Sequence, residues 1–191
     1  MLNAAGANYM TGLVGNVSIP SYSGSNVGWA GEIEAAKDGS GTFSEVVLEP
    51  KRITAYIDVS KQFLIQDSVS AEALIRADIV NAISHKLEET ILGNEAGNNK
   101  QPKGIFNGAT ALDEVSYEAM VDMVKTLEEA NVSGDFKYIV SPSAKARLKT
   151  TKKDAGSGLF VMENGEIDGI PVLSTSACKG VLLGKFDDYV I

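Results

Sequence analysis

Between Ser70 and Leu92 the chain carries Ile75, Ile79, Ile83, Leu87 and Ile91 at four-residue intervals, with Leu74 and Ala82 beside them. That recurrence predicts one long amphipathic helix, and it places Ile75, Ile79, Ile83 and Leu87 in the core. Ser68 or Ser70 can cap its start, Glu72 and Arg76 can pair across one turn, and Gly93 ends it. At about 1.5 Å per residue the rod is roughly 35 Å long, about twice an average helix. A helix with one apolar stripe must lay it against another layer, so the rest of the chain has to supply a sheet or further helices.

Strand signals surround it. Ile53, Ala55, Ile57 and Val59 alternate with Thr54, Tyr56, Asp58 and Ser60, the pattern of a half-buried strand, and Phe63-Leu64-Ile65 forms an apolar cluster behind it. Residues 29–50 read as a hairpin, with strand-like flanks from Gly28 to Ile33 and Phe43 to Leu48 and a turn at Lys37 to Thr42. A second helix is predicted from Ser116 to Ala130, a buried strand at Phe136 to Val140, and a basic helix opened by Ser141-Pro142-Ser143. Asn164-Gly165 predicts a tight hairpin between Leu159–Met162 and the residues from Glu166 onward. Gly169 to Leu173 and Gly180 to Leu183 are further strands, and Tyr189-Val190-Ile191 stops inside one more. One long helix, shorter helices and strands out of regular alternation make an α+β fold. Residues 1–28, rich in Gly, Ser and Asn, read as an extended arm.

Several function classes lack their residues. The chain holds one histidine, His85, and one cysteine, Cys178, too few for a Cys/His zinc site or an intrachain disulfide. His85 lies inside the predicted helix, where a surface or interface position outweighs a catalytic one. Glu88 and Glu89 diverge by about 100° on a helix and make no acid–base couple. Gly39-Ser40-Gly41 and Gly156-Ser157-Gly158 lack the Lys-Ser/Thr or third spaced glycine of a phosphate loop. No catalytic residue, metal site or cofactor is expected. A net charge of −8 argues against dedicated nucleic-acid or anionic-membrane binding, and no apolar run is long enough for a span. The start, Met1 to Ala4, lacks a signal-peptide pattern.

Charge is uneven along the chain. Residues 29–50 hold Glu32, Glu34, Asp38, Glu45 and Glu49 against Lys37, a balance of −4. Lys137, Lys145, Arg147, Lys149, Lys152 and Lys153 lie in a stretch without acids. That run is a solvated helix face, an interface for an acidic neighbouring subunit, or a DNA contact. Trp29 is either core or an anchor between subunits. The candidate interface residues are therefore Trp29, Glu32, Glu34, Lys37, Asp38, Lys145, Arg147, Lys149, Lys152 and Lys153.

Four stretches follow one another in a specific order: Thr11 to Pro20 with Trp29-Ala30-Gly31-Glu32; Leu48 to Ser68, the most specific; the helix with Gly93 to Asn99 and Gln101-Pro102-Lys103-Gly104-Ile105-Phe106; and Tyr138 to Ser143, Asp154 to Phe160, Gly169 to Val172 and Gly184 to Tyr189. In that order and spacing they resemble the Hong Kong 97-like major capsid proteins of tailed phages and prophages, and the resemblance spans nearly the whole chain. It implies an N-terminal arm (1–28), an extended hairpin loop (29–50), a peripheral domain with a spine helix (51–112, helix 70–92) and an axial domain (113–191). The strands with which family members return to the peripheral domain are missing after Ile191, and so is a long helical scaffolding segment at the start. The crosslinking of some members is not transferred, because Ile33 stands where its lysine would be. The implied protein is a structural homo-oligomer of hexamers and pentamers. It would enclose DNA without reading its sequence, work with a scaffolding segment or protein and a maturation protease, touch no membrane, and reside in the virion capsid and in the host cytoplasm during assembly. The alternatives are an encapsulin-like nanocompartment shell or a small enzyme.

Overall fold

A computed structural model describes residues 2–12, 14–60, 71–109, 114–154, 156 and 158–190, the side chains of Ala71 and Asp188 excepted. The apolar cluster Phe63–Ile65, the helix caps Ser68 and Ser70, and Ser157 lie outside the described residues. In chain order the elements are α1 (Leu2–Ala5), β1 (Val17–Tyr22), β2 (Phe43–Leu48), α2 (Ala71–Ile91), α3 (Tyr117–Glu129), β3 (Lys137–Val140), α4 (Pro142–Thr150), β4 (Glu166–Ile167), β5 (Ile170–Ser174) and β6 (Val181–Gly184), followed by a 3-10 turn at Phe186–Asp188. They fall into two units, Thr11–Lys51 and Met1–Met10 with Arg52–Ile191.

The larger unit is organised by β3. It pairs parallel with β5 and antiparallel with β6, and β4 closes the other edge, giving the order β4-β5-β3-β6. The register sets two faces. Tyr138 stands beside Val172 and Leu183, and Ile139 beside Leu173 and Leu182. Because side chains alternate along a strand, Tyr138, Val140, Val172 and Leu183 share one core with Met120, Leu148, Val161, Met162 and Ile167. Ile139 faces the other core, with Leu2, Ala5, Ile91, Leu92, Cys178 and Phe186. Tyr138, Ile139 and Val140 are fully buried, as a strand covered on both faces must be. Each such side chain contributes about 1.5–3 kcal/mol relative to exposure.

Local chemistry places the helices against this sheet. Ser116 caps α3, its hydroxyl accepting from the Ala119 N–H, and Ser141 caps α4 by accepting from the Ala144 N–H, with Pro142 in the first turn. The second face is covered by α1, the end of α2, Ile105–Phe106, Ala177–Cys178 and the 3-10 turn at Phe186. The Ile105 N–H donates to the Ile91 carbonyl at 2.8 Å and the Phe106 N–H to the Gly93 carbonyl at 3.1 Å, satisfying carbonyls that α2 leaves open. The Gly104 backbone lies so close to Gly93 that a Cβ at 104 would run into the Gly93 carbonyl. Lys137 donates to the Ala4 and Ala5 carbonyls and the Asn8 N–H donates to Tyr189, so the first residues of the expected extended arm are tied down, with Leu2, Ala5 and Ala7 buried in this core.

Three further expectations are corrected. The helix forms, but Ile75, Ile79 and Ile83 are only half-buried, and Leu74 is 68% exposed. Only Leu87, Ile91 and Leu92 of the helix region pack into a core. A four-residue interval turns about 40° further than a whole turn, so the stripe drifts by roughly 160° from Ile75 to Ile91 and one flat surface cannot cover it all. Residues 51–60 form no strand, and Ile53, Tyr56 and Ile57 are exposed: alternation needs a partner edge, and no strand pairs with it among the described residues. Leu159–Met162 pairs not with the residues from Glu166 onward but alongside α4's end, through the Lys152–Phe160 bridge and the Val161 N–H to Thr151. The Asn164-Gly165 turn does form, and Asp168-Gly169 makes a second one between β4 and β5; all four residues have positive φ.

Candidate subunit interface

The unit Thr11–Lys51 is a two-stranded hairpin, and its partner strand differs from the expected one. Phe43–Leu48 pairs with Val17–Tyr22, not with Gly28–Ile33. Val17–Tyr22 supplies Val17, Ile19 and Tyr22 with no glycine, whereas Gly28 to Ile33 is interrupted by two glycines, which weaken a strand. The pairing sets Val17 beside Leu48 and Ile19 beside Val46 on one face. On the other, the Tyr22 and Phe43 rings lie 4.6 Å apart. Hydrogen bonds continue past the strands, from the Ser23 N–H to Thr42 and from the Asn26 N–H to Gly39. The tip is therefore residues 27–38. The expected turn at Lys37 to Thr42 lies mostly below this tip, its residues tied to the opposite segment by the Gly41 N–H on the Tyr22 hydroxyl and the Thr42 N–H on Ser23 Oγ. The boundary expected at residue 28 falls inside the hairpin.

Trp29 sits on this tip with 99% of its surface exposed, between Val27 at 95% and Ile33 at 98%. It is not core. The acids around it are fixed by backbone donors: Glu34 accepts from the Gly31 N–H at 3.0 Å and Asp38 from the Ser40 N–H at 3.0 Å. The latter contact holds the Asp38 carboxyl below the usual carboxylate range. Glu32 is exposed, and the Lys37 stem runs beside Gly28. The tip thus presents an indole and two aliphatic side chains among three carboxylates.

The basic stretch is not one face. Lys137 is committed to the α1 carbonyls. Lys145 donates to Ser174 Oγ at 3.1 Å. Lys153 pairs with Asp168 and lies 4.8 Å from the centre of the Tyr117 ring, and the Asp168 carboxylate raises its pKa. Arg147, Lys149 and Lys152 remain exposed. Spacing on a sequence does not separate the structural lysines from the free ones, since each partner is distant in the chain.

The remaining singular residues are placed as follows. His85 is exposed on α2 and lines a shallow hollow with Ser84, Glu88 and Thr175 to Ala177. Cys178 is buried, its sulfur 3.4 Å from the Gly180 carbonyl oxygen, and burial pushes its thiol pKa up. A second hollow lies between Lys153, Phe160, Glu163, Glu166 and Asp168. Among the described residues no group of three or more His, Cys, Asp or Glu could hold a metal ion. Among the described residues no helix is long and apolar enough to cross a membrane.

A family model, that of the phage capsid family, matches residues 3–191. The chain belongs to the phage capsid family. A relative within it, the major capsid protein of Halomonas phage phiHAP-1, is 28% identical over 183 residues, covering 92% of this chain and 30% of its own length. The chain thus spans about a third of the curated relative it matches. Among solved structures, the capsid of the native GTA particle superposes with a TM-score of 0.77 at 12% identity, over 96% of this chain and 72% of that one. Mycobacterium phage Adephagia gives 0.74 at 12%, over 97% and 67%. Likeness at such identity is one of fold, and the fold is the α+β, Hong Kong 97-like capsid fold that the four sequence stretches resemble.

Proposed function

We propose that this chain is the shell-building part of a phage or prophage capsid subunit, a structural protein that assembles with copies of itself into hexamers and pentamers enclosing DNA. One observation carries the reading beyond family membership: a two-stranded hairpin ends in an indole that its own unit leaves 99% exposed. Isolated hairpins are marginal in water, and exposed tryptophan is the side chain most enriched at interface centres, so this tip is built to be covered by another subunit. On this reading residues 11–51 are the extended loop, α2 is the spine helix of a peripheral domain ending near residue 112, and 113–191 are axial. The half-buried stripe Ile75, Ile79 and Ile83 is then a second surface for further shell packing. With a net charge of −8, enclosed DNA is retained without sequence readout. A scaffolding component and a maturation protease are the expected assembly partners, acting in the host cytoplasm before the subunit enters the virion.

The test is electron microscopy and sedimentation of the full-length protein expressed alone. Closed shells or capsomer rings are expected; a monomer at every concentration overturns the reading. Trp29→Ala should keep the circular dichroism of the parent while reducing particle yield at least tenfold.

A further inference from the structure

Resting on that self-assembly reading, we infer that the hairpin tip of one copy docks on the Lys149–Lys152–Phe160 edge of a second copy. The tip offers Trp29, Val27 and Ile33 beside Glu32, Glu34 and Asp38. Its acceptor must therefore combine exposed apolar surface with cations not already neutralised. Most cations on the helices fail this requirement. Arg76 pairs with Glu72, Lys86 with Glu89 and Lys125 with Glu129. Of the basic stretch, Lys137, Lys145 and Lys153 have internal partners. Arg147 and Lys149 are two residues apart on α4, about 200° around it, and flank buried Leu148 from opposite sides. One tip cannot engage both.

The Lys149 side leads to the required combination. Lys152 follows the end of α4 and forms an antiparallel bridge with Phe160. Bridged residues project to the same side of their strand pair, so an exposed ammonium stands beside an exposed ring. Leu159 next to it is also exposed. An indole carried among carboxylates complements a phenyl carried beside ammonium groups in both polarity and charge. Glu163, Glu166 and Asp168 line the hollow beyond Phe160, with Asp168 already held by Lys153. Those acids repel the tip's carboxylates and limit it to the lysine side. A nucleic acid would satisfy Lys149 and Lys152 but would leave Leu159 and Phe160 uncovered; the tip satisfies both.

A charge exchange in the full-length protein tests this. E32K/E34K/D38K reverses the tip, and K149E/K152E reverses the edge. Each alone should lower particle yield at least tenfold with unchanged circular dichroism, and the fivefold variant, in which every copy carries both reversals, should recover most of the yield. As a second measurement, W29C with F160C should give an interchain disulfide on oxidation, seen on a non-reducing gel. A fivefold variant no better than either reversal, together with no disulfide, overturns this docking and leaves the capsid reading standing if the parent forms shells. Normal particles from K149E/K152E that retain less DNA would place these lysines on nucleic acid and also overturn it. A parent that never self-associates removes both.

Discussion

Replacing Leu148 by alanine should cost about twice what replacing Ile83 costs, although Ile83 carries the stronger sequence signal. Leu148 is fully buried in a cluster with Met120, Tyr138, Val140, Val161 and Met162. Removing its three outer carbons forfeits about 2–2.5 kcal/mol of transfer free energy at 0.8 kcal/mol per buried carbon. The closed surroundings keep a cavity and bring the total to about 3–4 kcal/mol. Ile83 is only partly buried on α2 and packs into neither core cluster, so the same truncation loses less of the transfer term and encloses no cavity, roughly 1–2 kcal/mol. For a chain of this size each kcal/mol moves Tm by about 2–4 °C, so Leu148→Ala should fall by roughly 6–16 °C and Ile83→Ala by roughly 2–8 °C. Urea unfolding of the unassembled protein, followed by circular dichroism, measures the difference directly, with the denaturant slope as the check that both variants unfold from the same state. Equal losses at the two positions, or a loss below about 1 kcal/mol at Leu148, would refute the assignment of the core to the sheet rather than to the α2 stripe.

Three more outcomes follow from the packing. The Tyr138 phenol is pushed up to about 12 by burial and by the Asp168 carboxylate. An unfolded tyrosine ionises near 10, so this group should leave stability unaffected below pH 10 and lower it by about 1.4 kcal/mol per unit between pH 10 and 12; Tyr138→Phe, compared by urea titration across that range, should fall less steeply than the parent by that amount, buried Tyr189 and paired Lys153 keeping their own alkaline losses. Gly104→Ala should destabilise by about 1–3 kcal/mol, because its Cβ meets the Gly93 carbonyl and displaces the turn that closes α2; a melt unchanged from the parent would contradict that contact. Lys137→Ala should cost about 1 kcal/mol and raise amide hydrogen exchange at Gly6 and Ala7, whose N–H groups bond to Leu2 within the segment Lys137 holds, with no such rise for Lys137→Arg.

Much of the fold is legible in the sequence because the signals are local. Ser116 and Ser141 act on an N–H three residues away, and Asn164-Gly165 and Asp168-Gly169 close turns within themselves. The Asp-Gly signal was as readable as the Asn-Gly one, and it positions Asp168 for Lys153. The interface was legible only in part. Trp29 and its acids mark themselves by residue type, but whether Trp29 is core or exposed depends on which segment pairs with Phe43–Leu48, a choice between strands about 10 to 30 residues distant. The basic stretch misled for the same reason: the partners of Lys137 and Lys145, Ala4–Ala5 and Ser174, are far along the chain.

By itself, then, the sequence determined the α2 rod, the order of strands and helices around β3, the helix caps and the family resemblance, since periodicity, capping and motif order are properties of neighbouring residues. Tertiary structure alone decided which distant segments cover the two faces of β3, that only the last turns of α2 reach a core, and that Arg147, Lys149 and Lys152 stay exposed while their neighbours are bound. Those outcomes depend on which distant surfaces meet. A stripe that drifts about 40° per step, or a lysine that is one of six, carries no record of the partner that will cover it.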